Sequence, residues 1–522
     1  MQESPPVYAL SFDTLRPIFE FAVNAAKTAE EATNTPLALS QVCSTWRQST
    51  LRHAPLWANV LLGARGVKSL ERATEFLSRS RARPIYVTFD MMGARKELPS
   101  LKERTGLLAL HAHRLRALRV RGAATALPIH HFLRGLDFTF TELKDFEIVW
   151  GKPTTPLARR FPVTLGDRIP EAWLPYYLDL SPHDKLTNLT HFALKTHDRR
   201  LSIKMDQLLN VLASSPTLHS LELEGLYFEF EDAEFYDDED EDDEDQETEK
   251  FILQLPHLQF LSLKQCLSGA FLPRINVPAT TNVVLVANDP FILDYGDIHA
   301  DPPNILYALP PYFRNLSFVG KFDTIDFEIQ DASITLRASQ PSGQYLLIEQ
   351  VPDPGAIDNT TIEEMIPPSA TSFASSDFGP VTTLRAINRL SESKRGVLRD
   401  IDPYELDSWL SPMSSIEKLE VFHFPLKFLR RFSGGKSQER LLVAAKDVTI
   451  TLFPGECGDF DELKAWVKAR ADAQLPFEKL EIALDYSIPS APPVDEKCVD
   501  SLRSSLAECV KDVVVKVFHP AQ

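Results

Sequence analysis

Three apolar residues recur in one arrangement along most of the chain: one position, a second three residues on, and a third two beyond that. The triples are Leu115/Leu118/Val120, Leu143/Phe146/Ile148, Leu189/Phe192/Leu194, Leu218/Leu221/Leu223, Leu258/Leu261/Leu263, Phe313/Leu316/Phe318, Ile416/Leu419/Val421, Ala445/Val448/Ile450 and Phe477/Leu480/Ile482. Their starts lie 28, 46, 29 and 40 residues apart in the first group, and 29 and 32 in the last. The 40-residue interval contains a 19-residue acidic run, and the 46-residue one leaves room for a degenerate unit near Phe161–Leu165. No unit of this size buries its apolar face alone, so the pattern predicts neighbours stacked over one continuous core.

Helical segments precede several triples: Asp206–Pro216 before Leu218, Asp402–Leu410 before Ile416, and Asp461–Arg470 before Phe477. Helix, turn and short strand near every 28 residues form the unit of a leucine-rich repeat. The expected fold class is therefore α/β, a small helical module followed by an irregular horseshoe solenoid. The boundaries expected are 1–62 for the module and 63–522 for the repeats. Two interruptions are expected inside the array. Asp323–Gln350 reads as paired strands, Ile325–Ile329, Ser333–Arg337 and Gln344–Ile348, the last two joined by the turn composition Ser339–Gly343. Residues 351–380, rich in Pro, Ser and Thr, read as a long loop.

The module occupies Leu10–Val60. Leu10, Leu15, Ile18, Phe19 and Ala22 place apolar groups on one helical face, with Asp13 as the expected N-cap. Lys27–Thr35 is a polar stretch expected to separate a second helix, capped by Thr35 with Pro36 at its first position. That helix carries the stripe Leu39, Val42, Cys43 and Trp46. Leu10-Ser-Phe-Asp-Thr-Leu-Arg-Pro-Ile-Phe19, Leu39-Ser-Gln-Val-Cys-Ser-Thr-Trp-Arg47 and Pro55-Leu-Trp57 resemble an F-box of the kind widespread in mushroom-forming, basidiomycete fungi. The segment Leu70–Thr88 is similar to the stretch joining F-box to repeats in the same family. The sequence departs from the family's pattern at Ser11, where a Pro is usual, at Pro17 inside the first helix, and in the length of Lys27–Thr35. The resemblance implies docking on a Skp-type adaptor of a cullin–RING ubiquitin ligase. It gives Leu10, Leu15, Ile18, Phe19, Leu39, Val42, Trp46 and Trp57 a shared role in the module's core and adaptor contact.

Charge is unevenly placed. Of the 19 residues in 231–249, 14 are acidic, so this run supplies most of a formal charge of −18. Such a run repels itself and reads as a solvated, disordered insert, with binding of basic partners as the sharper reading. Arg65–Arg121 carries 14 Lys or Arg against five Asp or Glu. Catalytic signatures are missing: there is no G-x-G, no G-x-S-x-G, and Ser433-Gly-Gly-Lys-Ser437 has Arg430 where a phosphate loop needs its first Gly. No His precedes Glu, and neither His111/His113 nor His130/His131 has a third ligand nearby. The five Cys include no C-x-x-C pair, and Cys43 reads as a structural thiol. No apolar run approaches the ~18 residues of a membrane span. The first residues, Met1-Gln-Glu-Ser-Pro-Pro, lack a signal peptide's basic start and apolar stretch. The expectation is a non-enzymatic protein of the cytoplasm or nucleus, with no cofactor, no metal, no membrane and no nucleic-acid partner.

In a repeat of this kind the residues between the buried positions face outward along the strands. One such row is Arg119, Glu147, Ala193, Glu222, Ser262, Glu420 and Glu481; the next is Arg121, Val149, Lys195, Glu224, Lys264, Phe422 and Ala483. The face starts basic and turns acidic, which selects among protein partners. A protein target is expected on Arg119, Arg121, Glu147, Lys195, Glu222, Glu224, Lys264 and Phe422. The first reading is thus the substrate-recognition subunit of an SCF-type ligase. A scaffold whose helical module merely caps the solenoid, and a binder of basic proteins through 231–249, are the alternatives.

Overall fold

The computed structural model describes residues 10–63, 67–91, 98–122, 132–133, 135–136, 138–150, 176–178, 180, 186–196, 201–229, 252–264, 266, 271–288, 322–330, 333–351, 381–390, 415–423, 444–452, 460–485 and 496–518. Among them are eight α-helices and a 16-stranded sheet that does not close into a barrel. The protein is a mixed α/β chain. It divides into two compact units, Met1–Ser262 with Arg274–Asn276, and Leu263–Pro273 with Val277–Gln522.

The first unit opens with three helices: α1 (Phe12–Asn24), α2 (Ala29–Val42) and α3 (Ser44–Arg52). Ser11, not Asp13, caps α1, its Oγ accepting from the Thr14 N–H at 3.2 Å. Asp13 sits in the first turn instead, where its charge suits the positive helix end. The polar stretch Lys27–Thr35 is mostly helix. Thr28 caps α2 by accepting from the Glu31 N–H at 3.1 Å, and the Glu31 carboxylate accepts from the Lys27 N–H at 2.8 Å. This near-reciprocal pair outcompetes Thr35 as the start, so Pro36 lies inside the helix. Cys43 then adopts an extended conformation, and its Sγ accepts from the Trp46 N–H at 3.4 Å to begin α3. A single stripe over Leu39, Val42, Cys43 and Trp46 therefore does not form. Leu15, Phe19, Val23 and Trp57 make the buried centre. Trp46 meets Phe19 edge-on at 4.9 Å, and Trp57 Nε1 donates to the Thr50 carbonyl at 2.9 Å. His53 ties the piece together: its Nδ1 accepts from Arg16 at 3.3 Å, and Nε2 donates to Glu20 at 2.6 Å.

Strands follow directly. β1 (Asn59–Gly63), β2 (Ile85–Asp90), β3 (Leu115–Gly122), β4 (Asp145–Trp150), β6 (His191–Thr196) and β8 (Ser220–Glu224) pair in that order, every pair parallel. The expected boundary at 62 falls inside β1. Register aligns the triples: Leu118, Phe146, Phe192 and Leu221 stand opposite one another, as do Val120, Ile148, Leu194 and Leu223. Eight of the nine triples lie in described residues, and none of their side chains is more than 2% exposed. Each Leu, Ile, Val or Phe among them contributes roughly 1.5–3 kcal/mol by burial. Helix α4 (Val67–Arg79) follows β1, and α5 (Leu98–Ala109) follows β2. A second, three-stranded parallel sheet joins β5 (Tyr176–Leu178), β7 (Leu201–Lys204) and β9 (Leu226–Glu229), with α6 (Met205–Ala213) running from β7 toward β8. The short pair β10 (Leu253–Gln254) and β12 (Ile275–Asn276) is also parallel, and β11 (Phe260–Lys264) carries the Leu261 and Leu263 pair.

The second unit contains β13 (Asn282–Asn288), β14 (Thr324–Gln330), β15 (Ile334–Ser339), β16 (Tyr345–Val351), β17 (Thr383–Arg389), β18 (Lys418–Phe422), β19 (Asp447–Leu452), β20 (Lys479–Asp485) and β21 (Asp512–Phe518). Helices α7 (Phe460–Asp472) and α8 (Glu496–Ala507) precede the last two strands. The three strands expected around Asp323–Gln350 form as an antiparallel meander, β14–β15–β16, turned at Gly343 with φ +93°. Spatial order is β13-β16-β15-β14-β17, so the meander runs backwards between two parallel neighbours. Beyond it, β17 to β21 pair parallel in chain order. Arg470 in α7 is buried. Its guanidinium donates to the Ala445 carbonyl at 2.9 Å and the Leu475 carbonyl at 3.1 Å, and lies over the Phe477 ring. Burial lowers its pKa to about 10. The Phe161–Leu165 unit, the 231–249 run, the Phe313 triple, most of the 351–380 loop, the Asp402–Leu410 helix and Ser433–Ser437 lie outside the described residues.

Candidate protein-interaction surfaces

The module divides the residues singled out in the sequence into two sets. Leu15, Phe19 and Trp57 are core, while Leu10, Leu39 and Trp46 are half-buried. Ile18 (46%) and Val42 (55%) are exposed and take no part in the core. Two more exposed apolar side chains join them, Phe21 (75%) on α1 and Leu51 (37%) on α3. Ile18 and Phe21 are three apart on one helix and so share a side. Phe21 lies outside the expected stripe of Leu10, Leu15, Ile18, Phe19 and Ala22, and its spacing from Ile18 is the signal that marks it.

The outward rows of the strands are the second surface. In the first unit Arg119, Glu147, Ala193 and Glu222 stand in register, but Ala193 and Ser262, expected to face outward, are buried, as is Ala483 in the second unit. Arg119 is ion-paired with Glu147. Lys195 Nζ lies 2.7 Å from Glu222 and 3.8 Å from Glu147, and His191 Nε2 lies 3.7 Å from Glu222. Arg121, Glu224 and Lys264 are half-buried along the adjoining row, and Phe422 is half-buried in the second unit. The charges of the first row are thus paired, Arg119 with Glu147, and Glu222 with Lys195 of the adjoining row. Part of the basic region is internal as well. Arg104 is buried and donates to the Gly63 carbonyl at 2.7 Å. Arg114 is buried too, donating to Leu77 O at 2.7 Å, Ser80 Oγ at 2.8 Å and Arg83 O at 3.0 Å.

A denser network in the second unit was not read from the sequence. Arg385 Nε donates to Glu420 at 2.7 Å while its Nη1 lies 3.6 Å from Asp326. Lys418 reaches Glu420 at 2.5 Å, and Arg389 reaches Glu328 at 2.8 Å. Burial pushes the Glu420 carboxyl up, but Lys418 and Arg385 outweigh it and hold its pKa below the ordinary value. Asp326 is held above its ordinary value, because burial exceeds the help from Arg385 and Arg337. Lys516 hydrogen-bonds Glu481 at 2.6 Å and, with Lys479, lowers that carboxyl. The signal was present: Phe322/Ile325/Phe327 and Val381/Leu384/Ala386 repeat the spacing of the nine triples, and Asp326 and Arg385 are their outward residues. Among the described residues no three His, Cys, Asp or Glu side chains gather as a metal site requires. No helix among them is long and apolar enough to cross a membrane. No family model matches the chain, and comparison with curated proteins returns no match.

Proposed function

We propose that the chain is a non-catalytic substrate-recognition subunit of an SCF-type ubiquitin ligase, acting in the cytoplasm or nucleus. The helical module holds a Skp-type adaptor and thereby the cullin scaffold, and the stacked strands, a leucine-rich-repeat-like solenoid, present a protein target. The observation that supports this best is the separation within the module of a buried set from an exposed apolar set, Ile18, Phe21, Val42 and Leu51. Exposed apolar side chains concentrated on one small helical piece are the composition of a protein-docking surface. Ile18→Asp and Val42→Asp alter that surface without touching the core, whereas Trp46→Ala also removes a contact with Phe19. In a pull-down with purified Skp-type adaptor, the wild-type chain is retained, and each Asp variant loses at least about tenfold in affinity. Failure of the wild-type chain to be retained would overturn the reading.

A second reading rests on its own observation. Trp57 packs edge-on against Phe76 of α4 at 4.8 Å, and Arg79 of α4 lies over the Trp57 ring. The module is thus built into the start of the strand array, and a scaffold capped by it needs no adaptor. Retention of the target by a chain that ignores the adaptor favours this second reading.

A further inference from the structure

The last strand of the second unit, β21, reads Asp-Val-Val-Val-Lys-Val-Phe from Asp512 to Phe518. It pairs parallel with β20 on one side and, among the described residues, with no strand on the other. The Asp512 N–H donates to the Glu478 carbonyl at 3.2 Å. Strand alternation then turns the backbone groups of Val514, Lys516 and Phe518 toward β20, and those of Val513, Val515 and Val517 toward the open edge. One outward carbonyl, that of Val515, is approached at 3.4 Å by Arg503 of α8, which leaves its second lone pair. A valine-rich strand with unpaired amides is a template for another strand.

We infer that this edge pairs antiparallel with β21 of a second copy of the chain. The charges choose both partner and register. About a two-fold axis at Val514, Val513 faces Val515 of the copy, so the outward amides and carbonyls of both meet. Asp512 then faces Lys516 of the copy, twice by symmetry, at non-hydrogen-bonded positions where side chains come closest. Centring the axis on Val515 leaves Asp512 opposite Phe518 and Lys516 opposite Val514, with no ion pair. Lys516 already binds Glu481 at 2.6 Å and has donors to spare. Asp512, Val514, Lys516 and Phe518 share one face, where Phe518 is half exposed, while Val515 is buried on the other. One strand pair is smaller than the ~1,000 Å² that a strong interface clears, so the dimer is weak and exchanges with monomer.

Sedimentation velocity on the full chain across a concentration series tests this. The wild type is expected to show a monomer–dimer equilibrium. Asp512→Lys and Lys516→Asp each weaken it about tenfold, by two like-charged pairs at the axis. Mixed one to one, the two variants associate again, because each supplies the charge that the other lacks. Val513→Pro removes an outward N–H that β20 does not use, and abolishes the dimer while the circular dichroism stays that of the wild type. A wild type that is monomeric up to about 100 µM overturns the inference. So does a dimer indifferent to Asp512→Lys and Val513→Pro, or a variant mixture that does not associate.

Discussion

At the scale of single residues, the most demanding of the described glycines is Gly225, between β8 and β9. Lys195 stands opposite Glu224, so Thr196 and Gly225 occupy the same corner in successive units. Gly225 has φ +70°, and a Cβ there would lie 2.3 Å from the Thr196 carbonyl oxygen and 2.8 Å from its Cγ2. The backbone of one unit therefore sits directly on that of the previous one. Gly343 has a similar φ of +93° but open space around the missing Cβ. The comparison separates two costs. Gly343→Ala meets the left-handed strain alone, about 1–2 kcal/mol. Gly225→Ala adds a clash with immovable backbone and is expected to cost about 2–5 kcal/mol in chemical denaturation. Equal losses for the two variants would show that the corners are not in contact. The sequence contains Glu224-Gly-Leu226 with nothing to mark its glycine, because the clash is with a residue 29 positions earlier.

At the scale of elements, what was legible was what burial alone decides. The strand triples were readable because each needs only that its own three side chains face inward, and the meander because Ser339–Gly343 punctuates it. Helix starts were less so, since two adequate caps competed within eight residues. Thr35-Pro36 has the composition of an N-terminus, but Thr28 brings Glu31 three residues on and gains an extra bond. In the structure Thr35 Oγ1 donates back to the Glu31 carbonyl at 2.8 Å, inside the helix. Thr28→Ala is accordingly expected to lose about 1 kcal/mol in thermal unfolding, and Thr35→Ala to stay within about 0.5 kcal/mol. The reverse order would return the helix start to Thr35. Trp57 was hidden by a different competition. Trp57/Val60/Leu62 is itself a triple with the same spacing, but its tryptophan also completes the helical module, whose pattern masks the triple.

At the scale of the whole molecule, strand order and charge pairing depend on which distant segments become neighbours. Nothing local in β13 or β16 announces that they adjoin with two later-paired strands beyond them. Nor does a list of outward residues show that Arg119 neutralises Glu147, or that Arg385 serves both Asp326 and Glu420. The acid response follows from these pairings. Glu420 and Glu481 have folded-state pKa values below their unfolded ones, so each contributes stability that is complete above the ordinary carboxylate range. That contribution is lost as pH falls through their folded values. Asp326 is raised, so its ionisation works against folding as pH climbs past its unfolded value. Melting temperatures from pH 7 down to pH 3 should therefore drop less steeply in Glu420→Gln and Glu481→Gln than in the wild type. At pH 7 the two Gln variants are less stable than the wild type, having lost their bonds to Lys418, Arg385 and Lys516. Asp326→Asn at pH 7 is expected to be at least as stable as the wild type, because it removes a carboxylate whose burial outweighs its cations. A steeper acid loss in the Gln variants, or a marked destabilisation by Asp326→Asn, would mean that the cations on this face bind elsewhere.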